Sequence, residues 1–181
     1  MNVKSCSIKH IDSINVKDLL TIETFYVRPP VNNKEILNDL NWCRREDRPV
    51  KADLTDWDVK DYFPNLCSQI HVLYPNHFIQ DLWVASYGCG DYSETHNHTD
   101  FDWSFVWYLD ACTECSPLIF PNLKQPWLPG EVIHPKVGNL HVFHCDRMHY
   151  VPPHTCPHER VVVSGNLARK PVEPEFNNPF I

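Results

Sequence analysis

At 181 residues, 43% hydrophobic and 22% charged, the chain is long enough to bury one sizeable core without covalent staples. A net charge of −7 with histidines neutral argues against loose, non-specific binding along a nucleic-acid backbone, which needs clustered Lys and Arg, but leaves room for a local basic pocket. No stretch approaches the ~18 apolar residues of a membrane span and Met1 to His10 carry no apolar signal core, so a cytoplasmic protein without membrane contact is expected.

Sixteen prolines against five glycines point to many short elements joined by stiff loops. Over 1–75 the pattern is mixed and partly helical. Val16 to Leu20 and Asn33 to Arg45 carry apolar residues at helical spacing, among them Ile36, Leu40 and Cys43. Thr55 to Asp58 resembles a capping box opening another helix, which Pro64 must kink or end. After Pro75 short β-rich runs alternate with turn residues: Phe78 to Tyr87, Trp103 to Leu109, Pro117 to Phe120, Glu131 to Ile133, Leu140 to His144 and Glu159 to Leu167. This spacing predicts an all-β sandwich or barrel. One domain is expected over 1–181: a helical or mixed preface over 1–75, a jelly-roll core over 76–168 and an irregular tail over 169–181.

Eight cysteines in a cytosolic chain read as reduced thiols. Only Cys112-Thr-Glu-Cys115 has metal-like spacing, and no second C-x-x-C supplies the two further ligands of a structural zinc. The pair is read as ordinary loop thiols, with a local disulfide or a metal as the alternatives.

The eleven histidines are placed unevenly. In an extended segment alternate side chains point the same way, so His96, His98 and Asp100 would share one side. An isolated H-x-H is more often a pair of half-exposed imidazoles. Here a second segment, Gly138 to His149, delivers a distant histidine through a turn, a β run and a loop, and Arg160 follows on the next β run. Non-haem iron takes three protein ligands on one face and leaves positions open for a keto acid and O2. An arginine supplies the planar charged fork that holds a far carboxylate. His141 and His144 lie on the strand before His149, one of them facing the pocket. His134, His154 and His158 sit in Pro-rich loops and are expected to be solvated. Trp103 and Trp107 read as core or rim packing.

One stretch reads Trp83, Gly90-Asp91, His96-Asn-His98 and Trp103-Ser-Phe-Val-Trp-Tyr108-Leu109. A later one reads Pro135, Gly138, Leu140, Phe143, then His149-Tyr-Val-Pro-Pro153, then Arg160 to Asn166. In order and spacing these resemble the 2-oxoglutarate- and iron(II)-dependent oxygenase superfamily, most closely the small oxygenases of phage and marine bacterial genomes. The resemblance spans about residues 80 to 167.

The resemblance implies a mainly β, cupin-like double-stranded β-helix with supporting N-terminal helices. It implies iron(II), 2-oxoglutarate and O2, with decarboxylation of the keto acid to succinate coupled to hydroxylation of a substrate C–H bond. His149 would be the distal iron ligand and Arg160 the anchor of the 2-oxoglutarate 5-carboxylate. Tyr108 would bond that carboxylate, with Tyr87 and Ser164 as further contacts. His98 and His149 are ligands on either alignment. Spacing from Gly90-Asp91 makes His96 the remaining ligand, whereas the superfamily's commoner His-x-Asp motif makes it Asp100. Two other classes remain: a metal-binding jelly roll without oxygenase activity, and a cosubstrate-independent cupin-type dioxygenase. Arg160 and Tyr108 argue against the latter, which has no distant carboxylate to hold. The substrate would be a small molecule or a protein side chain, entering between the N-terminal preface and the loop from Asn122 to Gly130.

Overall fold

The computed structural model describes residues 20–171. The expected helix at Val16 to Leu20 lies outside them apart from Leu20, and so does the irregular tail expected over 169–181 apart from its first three residues, of which Arg169 is instead the last residue of a strand. Twelve strands among the described residues form two sheets. The larger holds β1 (Ile22–Tyr26), β2 (Cys43–Arg44), β4 (Asp53–Leu54), β5 (His77–Tyr87), β7 (Trp103–Asp110), β10 (Asn139–His144) and β12 (Arg160–Arg169). Its order is β1-β10-β7-β12-β5-β4-β2. The smaller holds β3 (Val50–Lys51), β6 (Tyr92–His96), β8 (Leu118–Phe120), β9 (Glu131–Ile133) and β11 (His149–Val151), in the order β3-β6-β11-β8-β9. From β5 onward the chain crosses between the sheets six times, and all the paired strands are antiparallel. This is the double-stranded β-helix.

Period-two alternation separates two cores. On β7, Phe105, Trp107 and Leu109 face outward, as do Leu82 and Val84 on β5 and Val161 and Val163 on β12. Val106, Tyr108, Trp83, Ala85, Tyr87 and Val162 face the space between the sheets. The outward face is covered by α1 (Asn33–Asp39) and α2 (Pro64–Leu73), which seats Leu66 and Ile70 on it one helical turn apart. Burying each of those two side chains stabilises by about 1.5–3 kcal/mol. The buried Trp107 indole donates from Nε1 to Val27 O at 3.0 Å, which ties β7 to the segment after β1.

The preface differs from its reading. The helix expected over Asn33 to Arg45 stops at Asp39, Leu40 turns extended, and Cys43 and Arg44 pair with Leu54 and Asp53. Strand pairing there overrides a helical period of only three apolar residues. No helix opens at Thr55 to Asp58 either. Thr55 is tied to β5 instead: its amide donates to Val84 O at 3.1 Å, and its hydroxyl accepts from Val84 N at 2.9 Å. Pro64 begins α2 rather than ending a helix, since its missing N–H is not needed in the first turn.

Gly165, mid-β12, is fixed by packing. A Cβ there would lie 2.5 Å from the Phe105 ring and 2.6 Å from Asp81 O. Gly165→Ala is expected to destabilise by ~1–3 kcal/mol through overpacking, measurable as a lowered denaturant midpoint; an unchanged midpoint would show that β5 and β7 give way freely.

Candidate metal centre

His96 ends β6 and His149 opens β11, and the two residues face each other directly across the strand pair. His98 lies two residues beyond β6, where its amide donates to Cys145 O at 2.9 Å. The ring centroids lie 4.4 Å apart for His96 and His149, and 5.2 Å for each pair that includes His98. One nitrogen from each ring comes within 4.8 Å of the others. Asp100 is not in this group: it is exposed, at a left-handed φ of 88°, in the turn leading to β7.

Backbone carbonyls fix the tautomers. His96 Nδ1 lies 2.7 Å from Glu94 O and His149 Nδ1 lies 2.9 Å from Arg147 O. A carbonyl only accepts, so each Nδ1 carries the hydrogen and each Nε2 offers a lone pair. This is the arrangement by which an outer acceptor orients a metal-binding histidine. Aromatic walls hold the rings: Trp83 stacks on His98 at 6.0 Å, and Phe143 meets His149 edge-on at 4.9 Å.

All three imidazoles are held neutral. Burial, then the neighbouring His96, pushes His98 down to about 3. Burial lowers His96, and burial with the two neighbouring imidazoles carries His149 well below the ordinary value. A folded value below the unfolded one means the unfolded chain takes up protons the native state refuses. The stabilisation is therefore full above the ordinary value of about 6.5 and is lost as pH falls. The apoprotein's Tm is expected to fall as pH drops from about 6.5 toward the His98 value of about 3. His98→Gln should flatten that slope, and a wild-type Tm flat across the window would refute it.

Deeper between the sheets, Arg160, Val162 and Ser164 project from β12 on one face, beside Tyr87 of β5 and Tyr108 of β7. Arg160, Ser164, Tyr87 and the three histidines line one cavity. Arg160 is 1% exposed, and its guanidinium packs 4.8 Å from the Tyr87 ring and 5.2 Å from the Tyr108 ring. Burial raises Tyr87, against which Arg160 acts by charge and hydrogen bonding. Arg160 Nε and Nη1, Tyr108 OH and His141 Nε2 are buried without a hydrogen-bond partner. Buried polar atoms are nearly always paired, so four together define a place for a ligand with several acceptor oxygens.

His141 is the inward-facing histidine of β10, with its ring 5.8 Å from that of Tyr108 and Nδ1 2.9 Å from Thr24 Oγ1. If Thr24 donates to Nδ1, the buried and unpartnered Nε2–H is another donor beside Tyr108. Its alternation with Phe143 was the available sequence signal. His154, expected in solvent, is 0% exposed: Ser116 N donates to its Nδ1 at 3.2 Å, and its Nε2–H donates to His158 O at 2.8 Å.

The fold is that of the 2-oxoglutarate- and iron(II)-dependent oxygenases. Among solved structures, the Pseudomonas putida prolyl-4-hydroxylase matches with a TM-score of 0.61 at 18% identity, over 86% of this chain and 97% of that one. The viral collagen prolyl hydroxylase of Paramecium Bursaria Chlorella virus-1, in its 2-oxoglutarate complex, matches with a TM-score of 0.60 at 15% identity, over 81% and 94%. HygX from Streptomyces hygroscopicus, with nickel, 2-oxoglutarate and hygromycin B bound, matches with a TM-score of 0.61 at 9% identity, over 86% and 85%. No sequence-family model and no curated sequence matches the chain.

Proposed function

We propose that the chain is an iron(II)- and 2-oxoglutarate-dependent hydroxylase. Nε2 of His96 and of His149 and a ring nitrogen of His98 hold the iron. Arg160 takes the 5-carboxylate of 2-oxoglutarate, with Tyr108 and His141 donating beside it and Tyr87 and Ser164 lining the pocket. Three neutral nitrogen donors suit iron(II). With metal and cosubstrate bound, such a centre converts 2-oxoglutarate and O2 to succinate and CO2 and places the remaining oxygen atom in a substrate C–H bond. The chain's own part is to hold the keto acid at its far end, exclude water with Trp83, Val106 and Phe143, and keep the imidazoles unprotonated.

One observation carries this reading: a buried guanidinium with two unpartnered nitrogens shares a cavity with the three-histidine cluster. A cosubstrate-independent dioxygenase or an inert metal-binding jelly roll has no use for it. The solved structures of this fold include proteins bound to a hypoxia-inducible-factor peptide and to hygromycin B, and a protein side chain or a small molecule is the corresponding substrate here. It enters beside the loop after β8, which exposes Leu123, Trp127 and Leu128. That loop leaves directly from Phe120, which packs against His149 at 5.9 Å.

The test is anaerobic titration of the apoprotein with iron(II) and then 2-oxoglutarate. The expected result is the weak visible charge-transfer band of a keto acid chelated to iron(II). Tight iron binding with no band on adding 2-oxoglutarate would overturn the reading in favour of a cosubstrate-independent site.

A further inference from the structure

Far along the chain from the C-x-x-C pair, the loop between β11 and β12 brings in Cys156. Its Sγ lies 3.4 Å from Cys112 Sγ, which is 3.6 Å from Cys115 Sγ, and all three sulfurs lie within 4.8 Å of one another. Tetrahedral thiolates at a zinc–sulfur distance of about 2.3 Å stand about 3.8 Å apart, so the three already sit near the edges of such a site. Cys115 and Cys156 are buried and Cys112 is partly so. Two amides point at sulfur: Cys112 N donates to Cys115 Sγ at 3.3 Å and His158 N to Cys156 Sγ at 3.4 Å. Amide donors of this kind favour the thiolate form.

We propose that Cys112, Cys115 and Cys156 bind a structural zinc ion, separate from the histidine centre. The fourth position falls to water, or to His158 once its exposed ring turns toward the sulfurs and away from Asp110 Oδ1, which its Nε2 now meets at 3.1 Å. Without a cation the Cys115 thiol is costly to ionise, since burial pushes it up to about 12, whereas the hydrogen bond with Cys156 draws the Cys112 thiol down. A dication reverses that cost, and each ligating thiol releases its proton on binding. A disulfide would consume two sulfurs and leave the third beside it unused.

The ion clasps three segments: the exit of β7, the start of the link to β8, and the loop entering β12. That loop is also pinned by the buried His154 and reaches Arg160 four residues after Cys156. The clasp therefore fixes the foot of the strand that carries the arginine. It does not depend on the oxygenase reading, because it uses none of the histidine-centre ligands.

The experiment is elemental analysis of protein purified under reducing conditions, without a metal-affinity step, for wild type, His149→Ala, Cys115→Ser and Cys156→Ser. Zinc near one per chain is expected in wild type and in His149→Ala, with loss of zinc and a lowered Tm in either serine variant. Cobalt(II) titration provides the check if those variants fold poorly. A thiolate-to-cobalt charge-transfer band is expected in wild type and in Cys145→Ser, which removes the other cysteine near a histidine. Absence of both zinc and that band from reduced wild-type protein would overturn the proposal, as would a native disulfide within the trio.

Discussion

Arg160→Met is expected to weaken 2-oxoglutarate binding at least ~30-fold while leaving the apoprotein at least as stable as wild type. The two effects part because the native guanidinium serves a ligand rather than the fold. Arg160 is 1% exposed, flanked by two tyrosine rings, and leaves Nε and Nη1 unpartnered. An uncompensated buried charge destabilises, whereas an apolar side chain of similar volume packs without that cost. Losing one side of a buried, hydrogen-bonded charge pair costs about 2–5 kcal/mol of binding, or roughly 30- to several-thousand-fold in Kd. Tyr108→Phe removes a single neutral donor and is expected to cost about 1 kcal/mol, near fivefold. The readouts are the visible band and the Tm rise that 2-oxoglutarate gives the metal-loaded protein. An Arg160→Met protein that binds 2-oxoglutarate within a few-fold of wild type would sink the assignment. One that simply unfolds would show that the guanidinium supports the fold.

The strands behind Arg160 were legible because they are long and apolar on both faces. β5, β7 and β12 carry Val, Trp, Phe and Leu in runs that only a covered sheet accommodates. β6 and β11 were not legible: Tyr-Ser-Glu-Thr-His and His-Tyr-Val are short and polar, and they become strands by pairing with each other. The small strands of the preface escaped for the same reason: β1 and β3 pair with strands far along the chain, and β2 and β4 are too short to carry a period of their own. The helical signal at Ile36 was real but ran too far, since local period carries no information about where another strand will claim the backbone. The thiol cluster shows this limit most plainly. Cys112 and Cys115 were visible by spacing, whereas Cys156 joins them only through the crossing of two loops.

The site had one ambiguity that period alone could not resolve. Alternation put His96, His98 and Asp100 on one side, which requires the chain to remain extended through all three. β6 ends at His96, and the backbone reaches a left-handed φ at Asp100, so alternation does not extend to the carboxylate. Asp100→Asn, which tolerates that conformation, is therefore expected to leave iron(II) affinity within about threefold of wild type, because the residue makes no approach to the cluster. His96→Gln and His149→Gln are expected to lower it at least ~100-fold. Changing an outer partner of a ligand costs 10–100-fold, so loss of the ligand itself costs more. Three neutral imidazoles bring no negative charge to a dication, and the bound keto acid supplies it. Iron(II) should thus bind more tightly with 2-oxoglutarate present, and by linkage 2-oxoglutarate more tightly with iron(II). Arg160→Met should remove most of that coupling without changing iron affinity in the absence of cosubstrate. Calorimetric titration with iron(II), with and without 2-oxoglutarate, measures all of these. Loss of iron binding in Asp100→Asn with retention in His96→Gln would transfer the third ligand to the carboxylate and require the turn after β6 to fold back onto the cluster.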